Sequence, residues 1–110
     1  MRQFLIDEIP RQPMEEIGFY LKEKTASSGL EEIFWLEIPE RLLSPIQEEH
    51  KTCGPHYLAI ETGQDFVKFE YLVRCRKRLR CDCVQYATPD QEAYLLTFAR
   101  TLIQALDLKA

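Results

Sequence analysis

The side chains best suited to chemistry in this chain are its four cysteines and two histidines. They form two groups along the sequence, His50, Cys53 and His56 in the first and Cys75, Cys81 and Cys83 in the second. Each group surrounds a predicted turn, and turns are where metal ligands converge. Thiolate and imidazole are the ligands of tetrahedral zinc. The pattern indicates a zinc site as one hypothesis, and its candidate ligands are His50, Cys53, His56, Cys81 and Cys83.

Two other interpretations of the cysteines compete with zinc. Cys81 and Cys83 fall in a predicted strand, where residues two apart lie about 6.5 Å from one another, farther than zinc ligands prefer. Free cysteine is also among the most buried residue types. A thiol enzyme would need an activated thiolate, and Cys75 beside two arginines or Cys53 near the histidines could supply one. We therefore expect buried thiols, with a zinc-binding or thiol-dependent protein as the alternative.

A run of basic residues follows Cys75 and its strand. The five cations of the segment 74–80 are Arg74, Arg76, Lys77, Arg78 and Arg80. Such a hairpin either keeps an exposed edge soluble or grips phosphate or an acidic partner. The net charge of −4 argues against nucleic acid as the partner.

Other enzyme signatures are missing from the sequence. The acidic pairs, such as Glu15-Glu16 and Glu48-Glu49, occupy neighbouring helical positions that point about 100° apart and cannot face one substrate together. The four glycines are scattered singly, so no phosphate-binding loop is present. We predict no catalytic residues and a non-enzymatic protein.

Periodicity predicts one α+β domain over residues 1–110. Strands are expected at about 2–8, 32–38, 56–62, 66–75 and 79–86, the last with Leu79, Cys81 and Cys83 facing inward. Helices are expected at about 13–28 and 89–107, with a short helix from Pro45 to about His50. Ser44 and Thr88 each begin a capping box with proline at the first helical position. The predicted architecture is a two-layer sandwich, with a mostly antiparallel sheet of about 4–5 strands, including a 56–86 meander, covered on one face by the two long helices.

Composition predicts the setting in which this domain works. A hydrophobic fraction of 45% and a charged fraction of 29% are ordinary for a globular protein. Neither a secretory leader nor a membrane-length apolar run is apparent, so we expect a soluble cytoplasmic protein. Disulfides are not expected there. No cofactor is expected, and zinc is the one that the alternative hypothesis requires.

These observations favour a domain that acts by binding. The partner would be another protein or a second copy of the chain, and the 74–80 basic hairpin is the predicted contact surface. Trp35, in a strand already dense with apolar residues, serves either as core or as an interface anchor. The alternative is a small zinc-binding or thiol-dependent protein that uses Cys53, His56, Cys81 and Cys83.

Overall fold

The computed structural model of the chain describes residues 2–78 and 80–108. Leu79, predicted to face inward from the last strand, lies outside these residues. The strands are β1 (Gln3–Ile6), β2 (Ala26–Ser27), β3 (Ile33–Glu37), β4 (His56–Thr62), β5 (Val67–Cys75) and β6 (Gln85–Tyr86). The helices are α1 (Arg11–Lys24), α2 (Pro45–Glu49) and α3 (Pro89–Ala105), and two 3₁₀ turns span Glu40–Leu42 and Lys51–Cys53.

All six strands form one antiparallel sheet, in the order β2-β3-β4-β5-β1. β6 also pairs with β5, opposite Leu72 and Val73, whereas β1 pairs with residues 67–70 of the same strand. The register of β4 against β5 shifts between Leu58 and Ile60. The two ends of β5 therefore serve different neighbours, and its far end, at Cys75, lies beside the first residue of β4, His56.

Alternation along the strands separates a helix-covered face from an open face. Phe34, Leu58 and Phe69 point to the covered face and are buried in the core. Ile17 and Leu21 of α1 and Leu95, Ala99 and Leu102 of α3 complete that core. Trp35, Tyr57 and Arg74 alternate with the core positions, are half-buried and belong to the open face. The predicted two-layer α+β sandwich is confirmed.

The largest difference between the predicted and observed helix bounds is at the end of α1. α1 ends at Lys24, well before the predicted 28, because the Thr25 hydroxyl and N–H both bond the carbonyl of Leu21. Ala26 and Ser27 then leave the helix and pair with Trp35 and Phe34 as the edge strand β2. α3 agrees closely with its prediction. Among the described residues, no helix combines the length and the apolar character that a bilayer crossing requires.

The last predicted strand is much shorter than expected. Of the described residues in the predicted strand at 79–86, Gln85 and Tyr86 alone pair with β5, and residues 76–78 and 80–84 form a loop. The side chains of Cys81, Asp82 and Cys83 alternate in polarity as they would in a half-buried strand. In the folded chain these residues turn, because the backbone N–H of Val84 bonds the carbonyl of Cys81 at 3.0 Å.

Both predicted capping boxes are present, and their glutamines are joined in the interior. Gln47 and Gln91 each accept a bond from the backbone N–H of their own N-cap residue, Ser44 and Thr88. The Nε2 of Gln91 also donates to the Oε1 of Gln47 at 2.8 Å and to the carbonyl of Leu42 at 2.8 Å. Both side chains are almost fully buried. The starts of α2 and α3 are therefore held against one another by buried amides.

Replacing Gln91 with leucine should destabilise the protein. The change leaves the Thr88 N–H and the Leu42 carbonyl without the bonds that Gln91 makes to them, and it removes one of the two bonds that the Oε1 of Gln47 accepts. In a dry region this should cost about 2–4 kcal/mol of unfolding free energy. Urea unfolding followed by circular dichroism measures that loss. Gln104→Leu, on an exposed position of the same helix, is the control and should stay within about 0.5 kcal/mol of the native chain. A loss below about 1 kcal/mol for Gln91→Leu would contradict a cooperative role for the pair.

Candidate metal centre

The first two candidate ligands lie where α2 ends. The helix stops at Glu49, and the N–H of His50 still bonds the carbonyls of Ile46 and Gln47. The 3₁₀ turn Lys51–Cys53 follows at once, and the N–H of Cys53 bonds the carbonyl of His50 at 2.9 Å. This tight turn folds Cys53 back towards His50. The Sγ of Cys53 lies 4.0 Å from the Nδ1 of His50.

The second two candidate ligands lie in the loop between β5 and β6. Cys81 and Cys83 belong to a turn that the bond from Val84 to Cys81 closes. The strand spacing that argued against a shared metal therefore does not apply.

Backbone and side-chain bonds hold the two segments together. The N–H groups of Arg76 and Lys77 donate to the carbonyls of Pro55 and Cys53, at 3.1 and 3.2 Å. From the other side, the Nε2 of Gln47 donates to the carbonyl of Cys83 at 3.3 Å. The turn around residues 50–55 consequently packs against the loop 76–84, which is the juxtaposition that a metal site requires.

Four of the five predicted ligands converge on one point. The ligand atoms of His50, Cys53, Cys81 and Cys83 all lie within 4.8 Å of one another. The Sγ atoms of Cys53 and Cys81 are 3.9 Å apart, and the Sγ of Cys81 is 3.2 Å from the Nδ1 of His50. A zinc tetrahedron built from bonds of about 2.3 Å to sulfur and 2.0–2.1 Å to nitrogen has edges of about 3.8 and 3.6 Å. The separations among His50, Cys53 and Cys81 lie within about 0.4 Å of those edges, and the Sγ of Cys83 lies within 4.8 Å of the other three ligand atoms.

The thiols differ in acidity because their surroundings differ. Hydrogen bonds from the backbone and side chain of Cys83 lower the pKa of Cys81 to about 7. Burial raises the pKa of Cys53, and the hydrogen bond with Cys81 raises it further. Burial also raises the pKa of the fully enclosed Cys83. Cys81 is therefore the thiol most ready to bind a cation or react, while the other two keep their protons at neutral pH.

His56 and Cys75 lie beside the cluster without joining it. They face each other across β4 and β5. The Sγ of Cys75 donates to the carbonyl of Arg78 at 3.1 Å, so this thiol already has a partner. His56 is 3% exposed, and its Nε2 has no hydrogen-bond partner within the described part of the chain. The prediction of His56 as a ligand is not supported by this arrangement, since its place in a strand directs it to the core. All four cysteines are free thiols, as expected.

The predicted contact residues of the 74–80 segment are placed unequally. Arg74 is half-buried on the open face of the sheet, with its guanidinium 3.7 Å from the carboxylate of Glu70. The four others are exposed, and none has a carboxylate within 4.0 Å among the described residues. These four are Arg76, Lys77, Arg78 and Arg80, and together they are called the basic loop surface below.

Gln47 is a site residue that the sequence analysis missed. Its side chain reaches from the capping box of α2 to the carbonyl of Cys83 and fixes the turn that carries two thiols. Capping-box glutamines usually face solvent at a helix start, so the motif predicts the cap alone. The nearest available signal is the three-residue spacing of Gln47 and His50, which puts both on one side of a helical turn.

The fold and the site together describe the chain as a two-layer α+β protein with a cluster of three thiols and one imidazole at one end of its sheet. It matches no protein-family model, no curated protein and no solved structure.

We expect His56 to make the free energy of unfolding depend on pH. Burial lowers the pKa of His56, and the nearby His50 lowers it further. The unfolded chain therefore takes up a proton at higher pH than the folded chain. The stabilising effect of a neutral His56 is complete above pH 6.5 and is lost as pH falls below it, by at most about 1.4 kcal/mol per pH unit.

The measurement compares the native chain with His56→Leu, both with excess zinc, in urea unfolding between pH 8 and pH 5.5. The native chain should lose stability relative to the variant as pH decreases. Because the variant keeps all four clustered ligands, the difference between the two curves isolates His56. Parallel curves would show that His56 is protonated equally in both states.

Proposed function

We propose that the chain binds one zinc ion through His50, Cys53, Cys81 and Cys83, and that this ion fixes the loop 76–84 to the rest of the domain. The convergence of four ligand atoms within 4.8 Å is the observation that supports the proposal. His50 and Cys53 lie in one segment, and Cys81 and Cys83 lie in another. At least 28 positions along the chain separate a ligand of the first segment from a ligand of the second. The cluster contains three of the four cysteines and one of the two histidines of the chain.

The proposed role of the ion is structural. Four protein ligands fill a tetrahedral zinc site and leave no position for water or substrate, whereas catalytic zinc sites keep one position open. The loop that would be fixed has no strand pairing among its described residues and contributes little to the main core. An ion that joins Cys81 and Cys83 to His50 and Cys53 would supply the cohesion that this segment lacks.

The donor set also indicates the type of metal and the compartment. Thiolates favour zinc and other soft ions over magnesium or calcium, which prefer oxygen. Zinc adopts tetrahedral coordination by sulfur and nitrogen readily. Thiols stay available for a metal in a reducing compartment, so the proposal assigns the protein to the cytosol.

Native mass spectrometry tests the proposal on protein purified without a metal-affinity tag or chelator. We expect one zinc per chain. Cys81→Ser combined with Cys83→Ser should abolish that mass increment, and His50→Ala should weaken zinc binding by about tenfold or more in competition with a chelator. The control variants are Cys75→Ala and His56→Ala, which remove the same residue types beside the cluster and should retain the ion.

A second measurement tests the site itself and does not depend on whether the purified protein has kept its zinc. Cobalt added to the metal-free chain should give the absorption bands of tetrahedral thiolate coordination, and zinc should displace them. Circular dichroism of each variant distinguishes loss of the site from loss of the fold. A metal-free native mass, together with no tetrahedral cobalt spectrum, would refute the proposal.

Zinc binding should also release protons, and the pKa values of the three thiols determine how many. At pH 7 Cys53 and Cys83 are protonated because burial raises the pKa of both, and Cys81, with a pKa of about 7, is partly ionised. Since the metal takes thiolates, binding should release between about two and about three protons per ion at pH 7, and affinity should fall as pH falls.

Titration calorimetry in buffers of different ionisation enthalpy counts these protons. The count should decrease towards about two at pH 8, where Cys81 is already ionised. The Cys75→Ala variant should give the same count as the native chain, because Cys75 is outside the proposed ligand set. A count near zero at pH 7 would mean that the ion does not bind the thiols.

A second function is proposed for the basic segment 74–80, as a contact surface for a protein partner or a second copy of the chain. The exposure of four of its five cations, without carboxylate partners among the described residues, favours this role. The two functions are compatible, since an ion that fixes the loop would also fix the cations that the loop carries.

A further inference from the structure

We propose that the basic loop surface, together with Trp35, binds a short segment of a partner protein that is rich in aspartate and glutamate, and that the metal strengthens this binding. The metal dependence rests on the zinc site proposed above. The partner class rests on a separate set of observations on charge, exposure and the open face of the sheet.

The cations of this surface are arranged for an external anion. Arg76, Lys77, Arg78 and Arg80 are all exposed, and among the described residues none is neutralised by a carboxylate. Cations on neighbouring elements are paired instead: Lys68 with Glu61 at 3.3 Å, and Lys51 with Glu48 at 3.3 Å. Four unneutralised charges within five positions create a strong local positive potential, which attracts and orients an acidic segment.

An aromatic stack on the open face fixes one of these cations. Trp35 and Tyr57 stack with their ring centroids 4.3 Å apart and their planes at 23°. The guanidinium carbon of Arg76 lies 5.3 Å from the centroid of the Trp35 ring. A guanidinium held over an aromatic ring still presents its N–H edge to a carboxylate, in the planar fork that bidentate pairing needs. Arg76 is therefore preorganised to receive an acidic side chain, and the half-buried Trp35 offers apolar contact beside it.

The position of the loop depends on the segments that carry the thiols. Arg76 and Lys77 are held by backbone bonds to Pro55 and Cys53, and the carbonyl of Arg78 accepts a bond from the Cys75 thiol. Beyond Arg80 the chain passes directly to Cys81, a member of the ligand cluster. Fixing the cluster with an ion would reduce the freedom of the loop before the partner arrives, and preorganisation of this kind raises affinity.

The balance of charge favours a short acidic peptide over nucleic acid. The chain has a net charge of −4, and the basic loop surface contributes four positive charges, so the remainder has a net charge of −8. A long polyanion that extended past the loop would meet this repulsive remainder. A short acidic segment can pair with the loop alone, with its apolar residues on Trp35.

The test uses a short fluorescein-labelled peptide of Glu and Asp residues around one central Leu, titrated with zinc-loaded protein. Fluorescence anisotropy should report saturable binding that weakens with added salt. The emission of Trp35, the single tryptophan of the chain, should change in parallel. Arg78→Ala combined with Arg80→Ala should weaken affinity by about tenfold. Arg11→Ala combined with Arg100→Ala removes the same charge from exposed helical positions and should leave affinity within about twofold.

Removing the metal with a chelator, in a sample whose zinc content is checked by native mass spectrometry, should weaken peptide binding by about fivefold or more. If zinc is bound but its removal leaves the affinity unchanged, the metal dependence is wrong and the zinc site stands. If the native chain holds no zinc and still binds the peptide, the zinc site is wrong and the acidic-partner surface stands. Equal loss in both double variants, or tighter binding of a thymidine oligonucleotide of the same charge, would overturn the choice of partner.

Discussion

The buried amide pair of Gln47 and Gln91 is the interaction on which the arrangement of the domain depends. Each glutamine satisfies the N-cap of its own helix, and the two are joined at 2.8 Å. Gln91 also bonds Leu42, in the connection before α2, and Gln47 bonds Cys83, in the loop after β5. Because unpaired buried amides are costly, all these elements must be in place together. The pair therefore transmits the position of α3, which packs on the sheet, to the end of α2 and to the thiol-bearing turn.

Much of the fold follows from local rules in the sequence. Alternation in 56–62 and 66–75 predicts two antiparallel strands, and both are present as β4 and β5. The capping boxes at Ser44 and Thr88 predict the starts of α2 and α3 to the residue. The end of α1 is less predictable, because Thr25 closes the helix through its own hydroxyl and the next two residues gain a strand partner that lies in another part of the chain. Long-range pairing of that kind has no local signature.

The candidate site is predicted in its residue types and only partly in its membership. Four of the five ligands predicted from the sequence converge, because two turns meet at one end of the sheet. His56 does not, since the alternation of β4 directs it inward, and its neighbour Cys75 is likewise held in the core. The turn at Cys81–Cys83 contradicts its own alternating pattern. Local propensity there yields to the bond from Gln47 and to packing among the thiols, which only the folded chain brings together.

The same loop carries two of the proposed ligands, Cys81 and Cys83, and the exposed cations, and there is a physical reason for this association. Four neighbouring positive charges repel one another, so a loop that carries them resists compaction unless something holds it. Here the thiols at Cys75, Cys81 and Cys83 face inward while the cations face solvent, which gives the loop a small core of its own. A divalent ion in that core would replace thiol protons, and the ion and its three thiolates together would hold about one negative charge beneath the cations. An ion in this position would therefore strengthen the cohesion of the loop and leave its outer charges available to a partner.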